Sequence, residues 1–309
     1  MSVDRNAPAS ASLIERAAAV YDFKAAVKAP SVSPALDIPS EETADALRSE
    51  PGSKSLVNAL RTPASTYAKV DRQFLNDAGF ILPGGVPGPL AEEFRIVKRQ
   101  LLLNASGAAS GRPIDRGRMI LVCSAQPNDG KTFCAVNLAL SLASERDTEV
   151  LLVDADVAKP GALATLGIDD SGAGLMDALE NPSIDVEQLI IRTDIAKLSV
   201  LAAGRQAHND TEMLASSRTK AVLQGLANNH PSRIIIFDSA PALAASPASV
   251  LALNVGQVVM VVRADRTTES ELRDALALVA GCPSISLLLN GSSYFGSNHN
   301  FGSYYGHGE

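Results

Sequence analysis

Six short apolar runs punctuate the chain from about residue 119 onward: MILVCS (119–124), VLLVDA (150–155), LSVLAA (198–203), RIIIFD (233–238), QVVMVV (257–262) and SISLLLN (284–290). Each is strand-length and almost continuously Val, Ile or Leu, the pattern of strands buried on both faces rather than one. Between them lie helix-length segments at 135–143, 212–228, 246–253 and 269–279. Strands alternating with helices predict a doubly wound α/β fold: a mostly parallel sheet with helices on both faces. Upstream, residues 90–103 (LAEEFRIVKRQLLL) place Leu90, Phe94, Val97 and Leu101 on one stripe, the spacing of an amphipathic helix. A further helix is expected over about 65–78, before the breaker ILPGGVPGP.

The ends lack this periodicity. Residues 31–55 are rich in Ser, Pro, Ala and charge and read as a flexible linker. Ser12-Leu-Ile-Glu15 before it resembles a capping box that opens a short helix to about Lys28, either a docking helix or one transient in solution. The last 19 residues, Gly/Ser/Asn-rich, read as a disordered tail. The expected organisation is therefore 1–88 as docking helix and linker, 89–290 as the folded domain, and 291–309 as the tail.

Charge and composition narrow the function. A net charge of -7 argues against a broad nucleic-acid surface. Neither a secretory leader nor a bilayer-spanning run is present in these residues, so a membrane role is expected to come through a partner. The cysteines, Cys123, Cys134 and Cys282, have no metal spacing and read as reduced packing residues. With no Trp and 4% aromatics, the core must be aliphatic.

The chemistry sits in three motifs. Ala125-Gln-Pro-Asn128-Asp129-Gly130-Lys131-Thr132 follows a strand and opens a helix, and fits the phosphate loop G-x-x-x-x-G-K-[ST] with Ala125 in place of the first Gly. Gly130 lets the backbone turn its N–H groups toward phosphates, Lys131 reaches the β- and γ-phosphates, and the Thr132 hydroxyl is a Mg²⁺ ligand. Asp154 and Asp156, two apart at a strand end, are expected to face the same side. Asp238 closes RIIIFD in the Walker B form, orienting Mg²⁺, often through water. In this order the three motifs specify a P-loop NTPase holding ATP and Mg²⁺.

Phosphate loop, Asp-x-Asp and Walker B in this order resemble the bacterial tyrosine kinases, relatives of the Min and Par ATPases, and most closely the autokinases of exopolysaccharide and PEP-CTERM/exosortase loci. Glu92-Glu-Phe-Arg95-Ile-Val-Lys98 resembles the family's E-x-x-R-x-x-R oligomerisation helix, with Lys98 in the last Arg place. Ala203-Gly-Arg205, the stretch from Asn209 to Ser216, and Val153 to Pro160 are similar to further family segments. Tyr294, Tyr304 and Tyr305, three of the chain's five tyrosines, match the family's autophosphorylated cluster. Three departures stand out: Asn128 and Asp129 replace the usual Gly and Glu, Ala158 stands in an Arg place, and Ala240 precedes Pro241 where Pro is commoner.

The resemblance implies a cytoplasmic protein-tyrosine autokinase, peripheral to the inner membrane, that forms a homo-oligomer and phosphorylates neighbouring tails. Its catalytic set is Lys131, Asp154, Asp156 and Asp238. Either Asp154 or Asp156 takes the tyrosyl proton, and Thr132, Asp154 and Asp238 serve the metal. Ala125, Asn128, Asp129, Gly130, Lys131, Thr132 and Phe133 contact the nucleotide, and Asn290 the adenine. Implied partners are an inner-membrane polysaccharide co-polymerase and a protein tyrosine phosphatase. Two other readings compete: a Par/Min-like ATPase switch and a nucleotide-bound assembly module without turnover. Against the first, Ser124-Ala-Gln-Pro127 lacks the early second lysine common in partition ATPases.

Overall fold

The computed structural model describes residues 67–292, apart from 86–87, 109–110, 170–171 and 208. The expected N-terminal helix over 12–28 and the tail tyrosines lie outside the described residues. The predicted strands are present. β2 (Met119–Ser124), β3 (Glu149–Ala155), β5 (Leu198–Leu201), β6 (Arg233–Ser239), β7 (Gln257–Arg263) and β8 (Ser284–Asn290) follow the six apolar runs. With β1 (Tyr67–Ala68) and β4 (Ile191–Thr193) they form an eight-stranded sheet in the order β1-β4-β5-β3-β6-β2-β7-β8. Every ladder is parallel except β4–β5.

Continuous apolarity has the expected cause, since alternate residues of one strand enter different cores. In β2, Met119, Leu121 and Cys123 pack on one face and Ile120 and Val122 on the other. The first face is covered by α5 (Leu175–Glu180), α7 (Ser217–Asn228), α8 (Pro247–Ala252) and α9 (Glu269–Val279). The second is covered by α1 (Arg72–Asp77), α2 (Pro89–Ser106), α3 (Lys131–Ala143) and α4 (Ala162–Thr165). All three cysteines are free and buried, as packing residues should be. Burial pushes the Cys123 and Cys134 thiols up to about 12.

Three expectations are corrected. Of the helix expected over about 65–78, the described residues form only α1; Tyr67 and Ala68 are instead the short strand β1, because Tyr67 pairs with Arg192 of β4 and the Val70 N–H is taken by Asp194 Oδ1 at 2.8 Å. Asp71 then caps α1 by accepting the Phe74 N–H at 2.9 Å. The segment 212–228 is two helices, α6 (Asp210–Leu214) and α7, because the Ser216 hydroxyl caps a fresh start by accepting the Thr219 N–H. The boundary at residue 88 lies too late. Val70 and Leu75 are buried in the second core, and the Ile81 N–H donates to Asn137 Oδ1 at 2.8 Å.

Lys98 also departs from expectation. Glu92 and Arg95 form an ion pair on α2 at 3.1 Å, with Arg95 exposed and Glu92 partly buried. Lys98 is buried, donating to the Ser141 carbonyl at 2.9 Å and pairing with Glu145 at 2.8 Å. It therefore ties α2 to α3 within one chain. Lys98→Met is expected to cost about 1–2 kcal/mol, the scale of a lost charge-assisted hydrogen bond with a half-exposed partner, read from the urea midpoint. An unchanged midpoint would return Lys98 to an intermolecular role.

Candidate active site at the carboxyl edge of the sheet

The phosphate loop leaves β2 between its neighbours β6 and β7 and enters α3 at Lys131. Its bend depends on two left-handed residues, Asn128 (φ 67) and Gly130 (φ 97). Asn is among the non-glycine residues that best tolerate this conformation, so Asn128 substitutes for glycine at little cost. Gly130 has a second constraint: a Cβ there would collide with the Asn290 side-chain amide. The loop closes on itself, with the Gln126 N–H donating to Asp129 Oδ2 at 2.9 Å and the Ser124 hydroxyl to the Gln126 carbonyl at 2.8 Å. A link not foreseen from sequence joins it to α9, where Gln126 Nε2 donates to Glu271 at 3.1 Å. Glu271 and Thr268 form the capping box of that helix, a pattern visible in the sequence whose outward reach is not.

β3 and β6 are adjacent, and their register sets Asp154 beside Asp238. Lys131, Asp154, Asp156 and Asp238 thus converge, as the motifs predict. Their environments differ sharply. Asp154 is committed to the backbone: Oδ2 accepts the N–H groups of Gly161 (2.8 Å) and Ala162 (2.9 Å), and Oδ1 that of Asp156 (3.2 Å). Burial pushes its carboxyl up against the pull of those three donors. Asp156 holds Lys131 Nζ at 2.8 Å and accepts the Lys159 N–H at 3.1 Å. Asp238 is fully buried, and neither oxygen meets a donor in hydrogen-bonding geometry. Burial raises its pKa to about 7, opposed chiefly by the Lys131 charge and less by the nearby Thr132 hydroxyl, while Asp154 and Asp156 add to the rise.

A buried carboxylate without a partner is costly unless a cation arrives. Asp238 and the Thr132 hydroxyl fit a hard divalent ion that takes its remaining ligands from phosphate and water. Among the described residues no group of three or more His, Cys, Asp or Glu side chains is arranged to hold a metal ion. The open cleft is lined by Pro127, Asn128 and Gly130 to Phe133 on one side, Asp156 and Ala158 to Gly161 on a second, and Ala240, Pro241, Ala244 and Ala245 on a third. Asp156 lines it and Asp154 does not. Lys159, unassigned from sequence, adds an exposed cation to the rim. Phe133 packs against Phe80, ring centroids 4.8 Å apart, so one side of the ring faces the N-terminal segment. Asn290 reaches the loop itself rather than open space: its amide donates to the Asp129 carbonyl at 2.9 Å.

Similarities to known proteins agree with this geometry. The AAA domain model matches residues 117–271, half of the chain. EpsB of Ralstonia nicotianae, which carries a tyrosine-protein kinase name, is 31% identical over 51% of this chain and 20% of its own length. The chain thus spans about a fifth of that relative. The tyrosine-protein kinase YwqD of Bacillus subtilis is 29% identical over 61% of this chain and 78% of its own. Among solved structures, the BceF tyrosine kinase domain superposes with a TM-score of 0.53 at 25% identity, covering 64% of this chain and 76% of that one. The kinase domain of the Escherichia coli tyrosine kinase ETK shares the fold, with a TM-score of 0.55 at 21% identity over 75% of this chain and 94% of that one. With its phosphate loop, its flanking carboxylates and a family match across half its length, the chain belongs to the AAA domain family, and the relatives it matches in sequence carry tyrosine-protein kinase names.

Proposed function

We propose that this protein is an ATP-dependent protein-tyrosine autokinase that phosphorylates Tyr294, Tyr304 and Tyr305 on the tails of neighbouring copies. The observation that carries the reading is the convergence of one ammonium, one hydroxyl and three carboxylates at one end of the sheet, with Asp238 buried and unpartnered. When bound, Mg-ATP supplies the phosphoryl group, the metal charge and ADP as leaving group. The chain's residues do the rest. Loop N–H groups and Lys131 hold the phosphates, and Thr132 and Asp238 orient the metal with its waters. Lys131 turning toward phosphate frees Asp156, which lines the cleft and accepts the phenolic proton as the tyrosyl oxygen bonds to phosphorus. Tyrosine ionises near pH 10, so it arrives protonated and positioning dominates the rate. Asp154 braces the 156–162 turn through its three N–H bonds, a role distinct from binding metal or proton.

Names of relatives, including one from a Klebsiella pneumoniae cps region, support an output in polysaccharide assembly. We assign the partners accordingly: a second copy meeting Glu92 and Arg95, an inner-membrane polysaccharide co-polymerase and a tyrosine phosphatase. No helix among the described residues is long and apolar enough to cross a membrane. Purified chain of residues 1–309 incubated with Mg-ATP should gain one to three phosphates, mapped by mass spectrometry to Tyr294, Tyr304 and Tyr305. Free phosphate without tyrosine modification would replace this reading with an ATPase switch, and neither product would leave a binding module.

A further inference from the structure

We infer that Asn290 is a positioning residue for the phosphate loop, acting on the phosphates through the backbone of Asp129 and Gly130. The inference rests on the proposed phosphate-binding role of that loop. Asn290 is the last residue of β8, at the sheet edge, 161 positions beyond the carbonyl it touches. Its side-chain amide donates to Asp129 O at 2.9 Å, and the absence of a side chain at Gly130 gives it room to do so.

The consequence follows from peptide geometry. In a planar trans peptide the carbonyl and the next N–H point in opposite directions. Fixing the Asp129 carbonyl toward β8 therefore points the Gly130 N–H away from β8. Positive φ at Asn128 and Gly130 curls the neighbouring peptides into a concave nest of N–H groups, the form that holds an anion. The Asp129 side chain pins the other end of the same turn by accepting the Gln126 N–H. One peptide plane is thus held from the C-terminal strand and one from within the loop.

The holding group is itself rigid. Asn290 pairs with Arg263 in the β7–β8 ladder, and its own carbonyl accepts the Ala264 N–H at 2.9 Å. Gly291, at φ 65, sits so close beneath the Arg263 guanidinium that a Cβ would strike it. An amide anchored at both ends of its residue transmits position, whereas a mobile one would only follow the loop.

This role differs from contact with the nucleotide base, and binding measurements separate the two. Mg-ATP and Mg-tripolyphosphate are titrated calorimetrically into the full chain, Asn290→Ala and Asn290→Asp, with thermal midpoints confirming that each variant is folded. Asn290→Asp is nearly isosteric and keeps the fold where alanine fails. Asn290→Ala is expected to weaken both ligands by the same factor, about 3- to 10-fold, the loss of one hydrogen bond. Asn290→Asp is expected to weaken them further, because a carboxylate then faces a carbonyl. A loss confined to ATP would overturn the inference in favour of a base contact, and no loss for either ligand would also overturn it. If the unmodified chain binds neither ligand, the phosphate reading itself fails.

Discussion

Lys131→Met is expected to abolish tail phosphorylation, with phosphotyrosine falling by at least about 10²- to 10³-fold, the scale of losing a preorganised charge at the reacting group. The side chain has two roles that this single variant confounds. It neutralises Asp156 at 2.8 Å, both groups being nearly buried. Breaking such a pair by removing one partner typically costs about 3–5 kcal/mol, because the other charge stays behind. The variant alone could therefore lose activity by losing structure. Adding Asp156→Asn separates the roles: the double variant should regain most of the urea stability while remaining silent on a phosphotyrosine immunoblot. Labelled tyrosine in either variant would end the active-site assignment.

The second large effect concerns Asp238 and has an unusual sign. Its carboxyl titrates near 7 in the folded chain against an ordinary value of 3.8. Between those limits the native state holds a proton that the unfolded chain has released. Stability from this group therefore rises as pH falls from about 7 toward 4, and above 7 the ionised group costs about 4 kcal/mol. Asp238→Asn removes the charge but buries an amide that still lacks partners, at a cost of about 1–3 kcal/mol. Without nucleotide or metal, the variant should exceed the unmodified chain by about 1–3 kcal/mol at pH 8 and fall below it near pH 4. Asp177 and Asp194, both held low beside arginines and backbone N–H groups, act in the opposite direction as pH falls, but equally in both proteins. The difference between the two stability curves is therefore the measurement. Parallel curves would mean that Asp238 is solvated or already paired. Activity should be lost throughout the pH range.

The fold was legible where burial imposes a period. β2 and β6 read as strands because two cores claim their alternating residues, and β8 was bounded to the residue. The site was legible in its loop and carboxylates, since Lys131, Thr132, Asp154, Asp156 and Asp238 are fixed by strand ends. What escaped depends on long-range contacts. β1 and β4 are two and three residues long, and β1 exists through pairing with β4, more than 120 positions away. Lys98 read as part of the oligomerisation helix because local spacing cannot show Ser141 on α3 and Glu145 just beyond its end. Nothing near Asn290 in sequence points to the Asp129 carbonyl.

The buried thiols carry a consequence for control. Cys134 lies two positions after Thr132, where oxidant sensing could have been installed. With Cys123 and Cys134 held near 12, the reactive thiolate at neutral pH is about one part in 10⁴ or less, and both residues are buried. Among the described residues, peroxide and alkylating agents therefore meet no ready thiolate beside the loop.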